Sequence, residues 1–181
     1  MKIHSTIKNS IVNGPGNRFV IWTQGCSLNC PHCWNPDTHS FNGEKDYSVR
    51  ELFGLITKEK NIEGITISGG EPFDQASELL MLTQYIKKHS TLSQLIFTGY
   101  TMTEIMRNKI MQKSLSNIDV LIDGRFQSKS LSTDNLVGST NQKHHFLTNR
   151  YTIDDFTKKN LVEYHFSKDG NVKMTGFPVN K

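Results

Sequence analysis

Arg18-Phe19-Val20-Ile21-Trp22-Thr23-Gln24-Gly25 runs directly into Cys26-Ser27-Leu28-Asn29-Cys30-Pro31-His32-Cys33, a short apolar run followed by a tight cysteine loop. The run RFVIWT is rich in β-branched and aromatic residues and stops at a glycine, which predicts a buried strand. The same punctuation recurs downstream. Gly64–Ser68 (GITIS) ends at Gly69-Gly70, Gln94–Thr98 (QLIFT) ends at Gly99, and Ile118–Ile122 (IDVLI) ends at Asp123-Gly124. Between these runs the apolar spacing becomes helical over 48–60, 74–89 and 101–113. Ser48 with Glu51 three residues on predicts an N-terminal cap for the first of these helices. Strand, loop and helix alternate at roughly 30-residue spacing, which implies right-handed βαβ units, a parallel sheet, and sites at the carboxyl ends of its strands. After Gly124 the alternation fades. A helix over 152–159 is expected in the tail, then a hairpin from 161–167 and 171–175 around Asp169-Gly170.

The chain holds three cysteines, all within eight residues at C-x3-C-x2-C spacing. An odd, clustered set argues for a metal or redox site over a disulfide framework. Iron–sulfur clusters normally take four thiolates, so a four-iron cluster built here alone leaves one iron open to an outside ligand. Zinc of Cys3His type is the competing reading, with His32 or His39 as fourth ligand. An electron-carrying cluster with an external ligand and inert thiols complete the alternatives. Gly25 and Pro31 help the backbone turn tightly.

The other strand ends carry Ser68-Gly69-Gly70-Glu71-Pro72, Thr98-Gly99-Tyr100 and Asp123-Gly124-Arg125. Paired glycines let backbone approach a ligand, and a carboxylate beside them accepts hydrogen bonds from an ammonium group. A plain turn explains each motif when it stands alone. Asn13-Gly14-Pro15-Gly16 reads first as a turn, with a part in lining the site as its alternative. Trp34 and Asn35 follow the last cysteine and lie near any cluster, although Trp34 also suits simple packing. His144 and His145 lack acidic or cysteine neighbours in sequence and are expected at the surface.

Length and composition bound the rest. The 181 residues suit a single domain, 1–181, and hydrophobic (35%) and charged (21%) fractions are those of a globular chain. Lysines and arginines give a net charge of +4 but are scattered, so no nucleic-acid role is expected. Met1-Lys2-Ile3-His4-Ser5 lacks the apolar core of a signal peptide, and no run approaches the roughly 18 to 20 apolar residues that span a bilayer. A cytoplasmic protein with no membrane partner is the expectation.

Together these features resemble the radical S-adenosylmethionine superfamily, and within it the family of activating proteins of anaerobic ribonucleoside-triphosphate reductase. The similarity runs through 11–16, the cysteine loop into Trp34-Asn35, 68–72, 98–100, 120–124 and Gly138-Ser139-Thr140-Asn141-Gln142, in family order from about residue 8 to 147. It implies an α/β fold, an incomplete (β/α) barrel of parallel strands. It also implies a [4Fe-4S] cluster on Cys26, Cys30 and Cys33, with S-adenosyl-L-methionine chelating the open iron. His32, Cys33, Trp34, Gly69, Gly70, Glu71, Thr98 and Asp123 are the implied cofactor contacts, His32 toward the adenine and the Gly-Gly-Glu turn toward the amino group. The activity implied is reductive cleavage to methionine and a 5'-deoxyadenosyl radical that abstracts hydrogen from a glycine of the large reductase subunit, with a flavodoxin-like electron donor. No side chain is expected to act as the catalyst itself. A full barrel takes about 250 residues, so a shorter chain leaves the radical site open to a protein substrate.

Residues 148–181 extend beyond the matching blocks as a C-terminal extension, and Met174-Thr175-Gly176-Phe177-Pro178 would suit a different partner. The alternatives carried forward are the same cofactor chemistry on a peptide or small metabolite and, from another class, a non-catalytic Cys3His zinc adaptor.

Overall fold

The structure is a computed structural model that describes residues 1–42, 45–157 and 159–178. A seven-stranded sheet has the order β3-β1-β2-β4-β5-β6-β7, formed by β1 (Lys2–Ser10), β2 (Arg18–Thr23), β3 (Lys45–Asp46), β4 (Gly64–Gly69), β5 (Ser93–Phe97), β6 (Val120–Asp123) and β7 (Lys143–Phe146). The central run β2-β4-β5-β6 is parallel, and β1, β3 and β7 add antiparallel edges. The sheet is open. The expected parallel α/β core is present, while strand closure into a barrel is not.

The four predicted strands are the parallel core, and their alternating side chains feed two separate apolar layers. Ile65, Ile67, Ile96 and Leu121 face the helices α1 (Val49–Thr57) and α2 (Ala76–His89), packing with Leu52, Ile56, Leu79 and Leu82. Leu95, Val120 and Ile122 face the other way, toward Leu136, Val137, Phe156 and Phe177. Both faces of the parallel strands are therefore covered, which is why these strands read as continuous apolar runs.

Ser48 and Glu51 form the predicted reciprocal cap on α1. The helix expected over 101–113 is broken into α3 (Met102–Arg107) and α4 (Lys109–Leu115). Asn108 is extended between them, and its side chain accepts from the Ile110 and Met111 amides. An asparagine offers the backbone an alternative to helix, and here the cap wins over continuity. The helix expected over 152–159 is reduced to a single 3-10 turn at Ile153–Asp155, and Lys158 lies outside the described residues. The hairpin forms as expected from β8 (Val162–Phe166) and β9 (Val172–Gly176).

His144 and His145 are a correction. Both lie in β7 and are half-buried: His144 packs edge-on against Phe156 and bonds the Asn135 carbonyl, and His145 Nε2 stands 3.0 Å from Asp123. No helix among the described residues is long and apolar enough to cross a membrane.

Candidate metal and cofactor site

Backbone hydrogen bonds anchor the base of the cysteine loop. Gly25 and Cys26 donate to the Thr38 and His39 carbonyls, and Gly70 and Glu71 donate to the Thr23 and Gly25 carbonyls. Gly70 has to be glycine at this crossing, because a Cβ would meet the Gly25 carbonyl oxygen at 2.2 Å. The loop and the Gly-Gly-Glu turn are thus joined directly through their backbones. Asn29 (φ 44°) and His32 (φ 56°) take left-handed backbone, which lets the chain reverse twice within the loop.

A cavity of about 520 Å³ opens beneath this junction at the carboxyl ends of the parallel strands. Cys26, Cys30, Cys33, Trp34, Gly69, Gly70, Glu71 and Thr98 all line it. Phe97, Phe126 and Phe177 supply apolar surface, with Trp34 packed 4.9 Å from Phe126 and 6.3 Å from Phe177. The three cysteines are half-buried. Burial pushes the Cys26 thiol up, against the opposing effect of the Leu28 and Asn29 backbone amides. The Asn35 amide donates to Cys33 Sγ at 3.4 Å. Backbone donors aimed at sulfur are among the means by which a protein sets the properties of an iron–sulfur cluster.

Glu71 is the most constrained polar group in the cavity. Its carboxylate accepts from the Phe73 amide (2.9 Å), the Thr98 hydroxyl (2.8 Å) and the Gly99 amide (2.8 Å), and it is 1% exposed. Burial pushes its pKa up to about 7, against the three donors, which favour the ionised form. Thr98 is therefore committed to Glu71, and the two together tie the ends of β4 and β5.

His32 and Asp123 are placed differently. His32 is exposed on the loop's outer side and is not among the lining residues. Asp123 faces a neighbouring polar hollow, where its carboxylate accepts from the Met102 amide at 2.6 Å and meets His145. The cavity also takes in Asn13, from the turn whose alternative reading was a part in lining the site, and the C-terminal segment beyond the matching blocks. Asn13 lines it and bonds Thr175 across the sequence, and Lys173 to Pro178 form one wall. The helical turn Pro72–Gln75 supplies Asp74, which holds Ser27 beside the first cysteine.

The donor set fits a cluster. Three thiols on one loop open on one cavity, as a polynuclear centre with an open iron requires. Among the described residues, no three His, Cys, Asp or Glu side chains are drawn together as they would be round a single ion.

An α/β sheet whose strand ends gather a three-cysteine loop, a Gly-Gly-Glu turn and a cavity with one aromatic wall defines an iron–sulfur protein with room for a second cofactor. Residues 12–145 match the profile of the 4Fe-4S single cluster domain, and the chain belongs to that family. It is 32% identical over 156 residues to the anaerobic ribonucleoside-triphosphate reductase-activating protein of Vibrio cholerae, covering 82% of this chain and 99% of the relative. The protein of the same name from Escherichia coli is 31% identical, over 81% of this chain and 99% of its own length. The pyruvate formate-lyase-activating enzyme of Clostridium pasteurianum is 33% identical over 55% of this chain and 44% of that enzyme.

Proposed function

We propose that this chain is a glycyl-radical activating enzyme whose partner is an anaerobic ribonucleotide reductase. The observation that carries the reading is the convergence of Cys26, Cys30, Cys33, Gly69, Gly70 and Glu71 on one cavity, in a chain similar over most of its length to reductase-activating proteins. When bound, a [4Fe-4S] cluster on the three cysteines supplies one electron for reductive cleavage of S-adenosyl-L-methionine, the chemistry that removes a hydrogen atom from a partner's glycine. The protein itself binds, orients and excludes water.

Gly69 and Gly70 bring bare backbone to the cavity, where an ammonium group can reach carbonyl oxygens. Glu71 adds a carboxylate whose Oε2 accepts, among the described residues, only from the Gly99 amide, leaving acceptor capacity on the cavity side. Trp34, Phe97, Phe126 and Phe177 give the cavity an apolar wall, which helps to shield a reactive intermediate from side reactions. His32 reaches the cavity only by a side-chain or loop rearrangement, and Asp123 acts by holding α3 through Met102. Within this reading the open sheet is the part-barrel of the superfamily, the chain is one domain working in the cytoplasm, and a flavodoxin-like protein delivers the electron.

The test is anaerobic reconstitution followed by mixing the reduced protein with S-adenosyl-L-methionine and the large reductase subunit. A glycyl radical in the paramagnetic resonance spectrum, with 5'-deoxyadenosine formed alongside, is expected. Cofactor cleavage without a protein radical points instead to a peptide or metabolite substrate. Iron-free protein holding one zinc ends the cluster assignment.

A further inference from the structure

Asp123-Gly124-Arg125 is the strand-end motif that the cavity takes up only in part. Gly124 and Phe126 line the cavity with the three cysteines, whereas the Arg125 side chain between them stands at the solvent edge, 43% exposed. There Glu104 of α3 holds its guanidinium at two points, Nη1 to Oε2 and Nη2 to Oε1, both at 2.9 Å. Glu104 is itself fixed, because the Thr101 amide (2.7 Å) and hydroxyl (2.9 Å) donate to it in the cap of α3. A planar fork on a capped carboxylate holds its charge in one place, unlike a lone flexible ammonium.

The pair sits against the cysteine loop. The Arg125 guanidinium lies 5.9 Å over the Tyr100 ring, and the Tyr100 hydroxyl is 3.3 Å from Ser27 Oγ, next to Cys26. Between the pair and the loop, Gly99 has no room for a side chain: a Cβ there would meet Leu28 Cδ1 of the loop at 2.4 Å and stand 3.8 Å from Arg125 Cα. Glu104 is first among the groups that push the Arg125 pKa up, and Cys30 adds to it. Arg125, then Thr101, draws Glu104 down to about 2. Both partners are therefore charged at neutral pH, and the positive one is the one on which Cys30 acts.

A cluster held by three thiolates gains one negative charge on reduction, so a fixed cation beside it favours the reduced form and a fixed anion opposes it. We propose that the Arg125–Glu104 pair tunes the reduction potential of the cluster, Arg125 raising it and Glu104 offsetting part of that effect. This rests on the [4Fe-4S] assignment and is independent of whose glycine is attacked. Because the pair stands at the solvent edge, salt weakens its influence.

The experiment is a mediated dithionite titration of the anaerobically reconstituted protein without S-adenosyl-L-methionine. Absorbance and the paramagnetic resonance of the reduced cluster follow the uptake of one electron per cluster. Arg125→Gln should lower the midpoint potential and Glu104→Gln, which keeps the cap, should raise it, each changing the ratio of reduced to oxidised cluster at fixed potential about threefold. Arg125→Lys, which keeps the charge without the fork, should stay close to the wild type, and every shift should shrink as sodium chloride is added. Loosened packing moves both variants the same way, so shifts of one sign, or none in either, overturn the proposal. Should Arg125→Gln fail to hold iron, Glu104→Gln decides: a salt-sensitive rise upholds the proposal, and an unmoved or lowered potential overturns it. Opposite shifts in a protein that forms no glycyl radical uphold the pair's role and overturn only the choice of partner. A wild type that takes up no iron ends the cluster assignment and this inference together.

Discussion

Asp74 grips Ser27 at two points, its carboxylate accepting from the backbone amide at 2.6 Å and from the hydroxyl at 2.9 Å. Tyr100 donates to the same carboxylate at 2.9 Å, so the residue after Cys26 is fastened to the turn before α2 and to the loop after β5. Asp74→Ala should leave the sheet intact and loosen the loop. Iron should pass from the reconstituted variant to a chelator about tenfold faster than from the wild type, with Tyr100→Phe intermediate. Equal release rates would show that backbone contacts alone hold the loop.

Gly70 and Gly54 give opposite expectations for the same substitution. A Cβ at Gly70 meets the Gly25 oxygen at 2.2 Å and the Thr38 oxygen at 3.0 Å, both backbone, whereas nothing lies within 4 Å at Gly54 in the middle of α1. Gly70→Ala should lose about 1–3 kcal/mol or fail to fold. Gly54→Ala should gain about 0.5–1 kcal/mol from helix propensity. Thermal midpoints of the two variants decide it.

Glu71 predicts a pH dependence. Its folded pKa, raised to about 7 by burial, lies above the ordinary carboxylate value, so the folded protein holds a proton there that the unfolded chain releases. Stability from this group is present at acid pH and is lost as pH rises from the ordinary carboxylate range to about 7. Relative to Glu71→Gln, the wild type should lose thermal stability between pH 5 and pH 8. A pH-independent difference between the two would refute this.

Arg18 is 0% exposed, and its guanidinium donates to Thr66 Oγ1 (2.7 Å), the Ile65 carbonyl (2.7 Å), the Pro15 carbonyl (3.0 Å) and Ser93 Oγ (3.0 Å), all neutral oxygens. Arg18→Leu strands these acceptors in the interior and should cost roughly 3 kcal/mol. Arg18→Lys should recover only part of it, because an ammonium cannot reproduce the planar fork. Denaturant midpoints of the two variants are the measurement.

The parallel core was legible because its strands are buried on both faces and end in glycine. β1 was not: two bulges, between Ile3 and Ser5 and between Ile7 and Ser10, interrupt the alternation a strand shows in sequence. β7 hid for a different reason, since Lys143-His144-His145-Phe146 has a strand's length but a polar composition, and pairing with β6 supplies what propensity does not. In the site, the cysteines and Gly69-Gly70-Glu71 were visible as motifs because their chemistry depends on spacing along the chain. Asp74, which holds the loop at Ser27, and Phe97, Phe126 and Phe177, which line the cavity, were invisible, because what brings them to the site is the meeting of segments far apart in sequence. The direction of Asp123, away from the cavity, follows from Met102 and His145, which sequence alone does not place beside it.

The bond from Asn13 to Thr175 spans 162 residues. A ribosome adding about 5–20 residues per second exposes the three thiols on the order of ten seconds before the wall that shelters them has been made. The order of synthesis therefore leaves an interval in which iron and sulfide reach the nascent loop from open solvent. Oxygen has the same access during that interval.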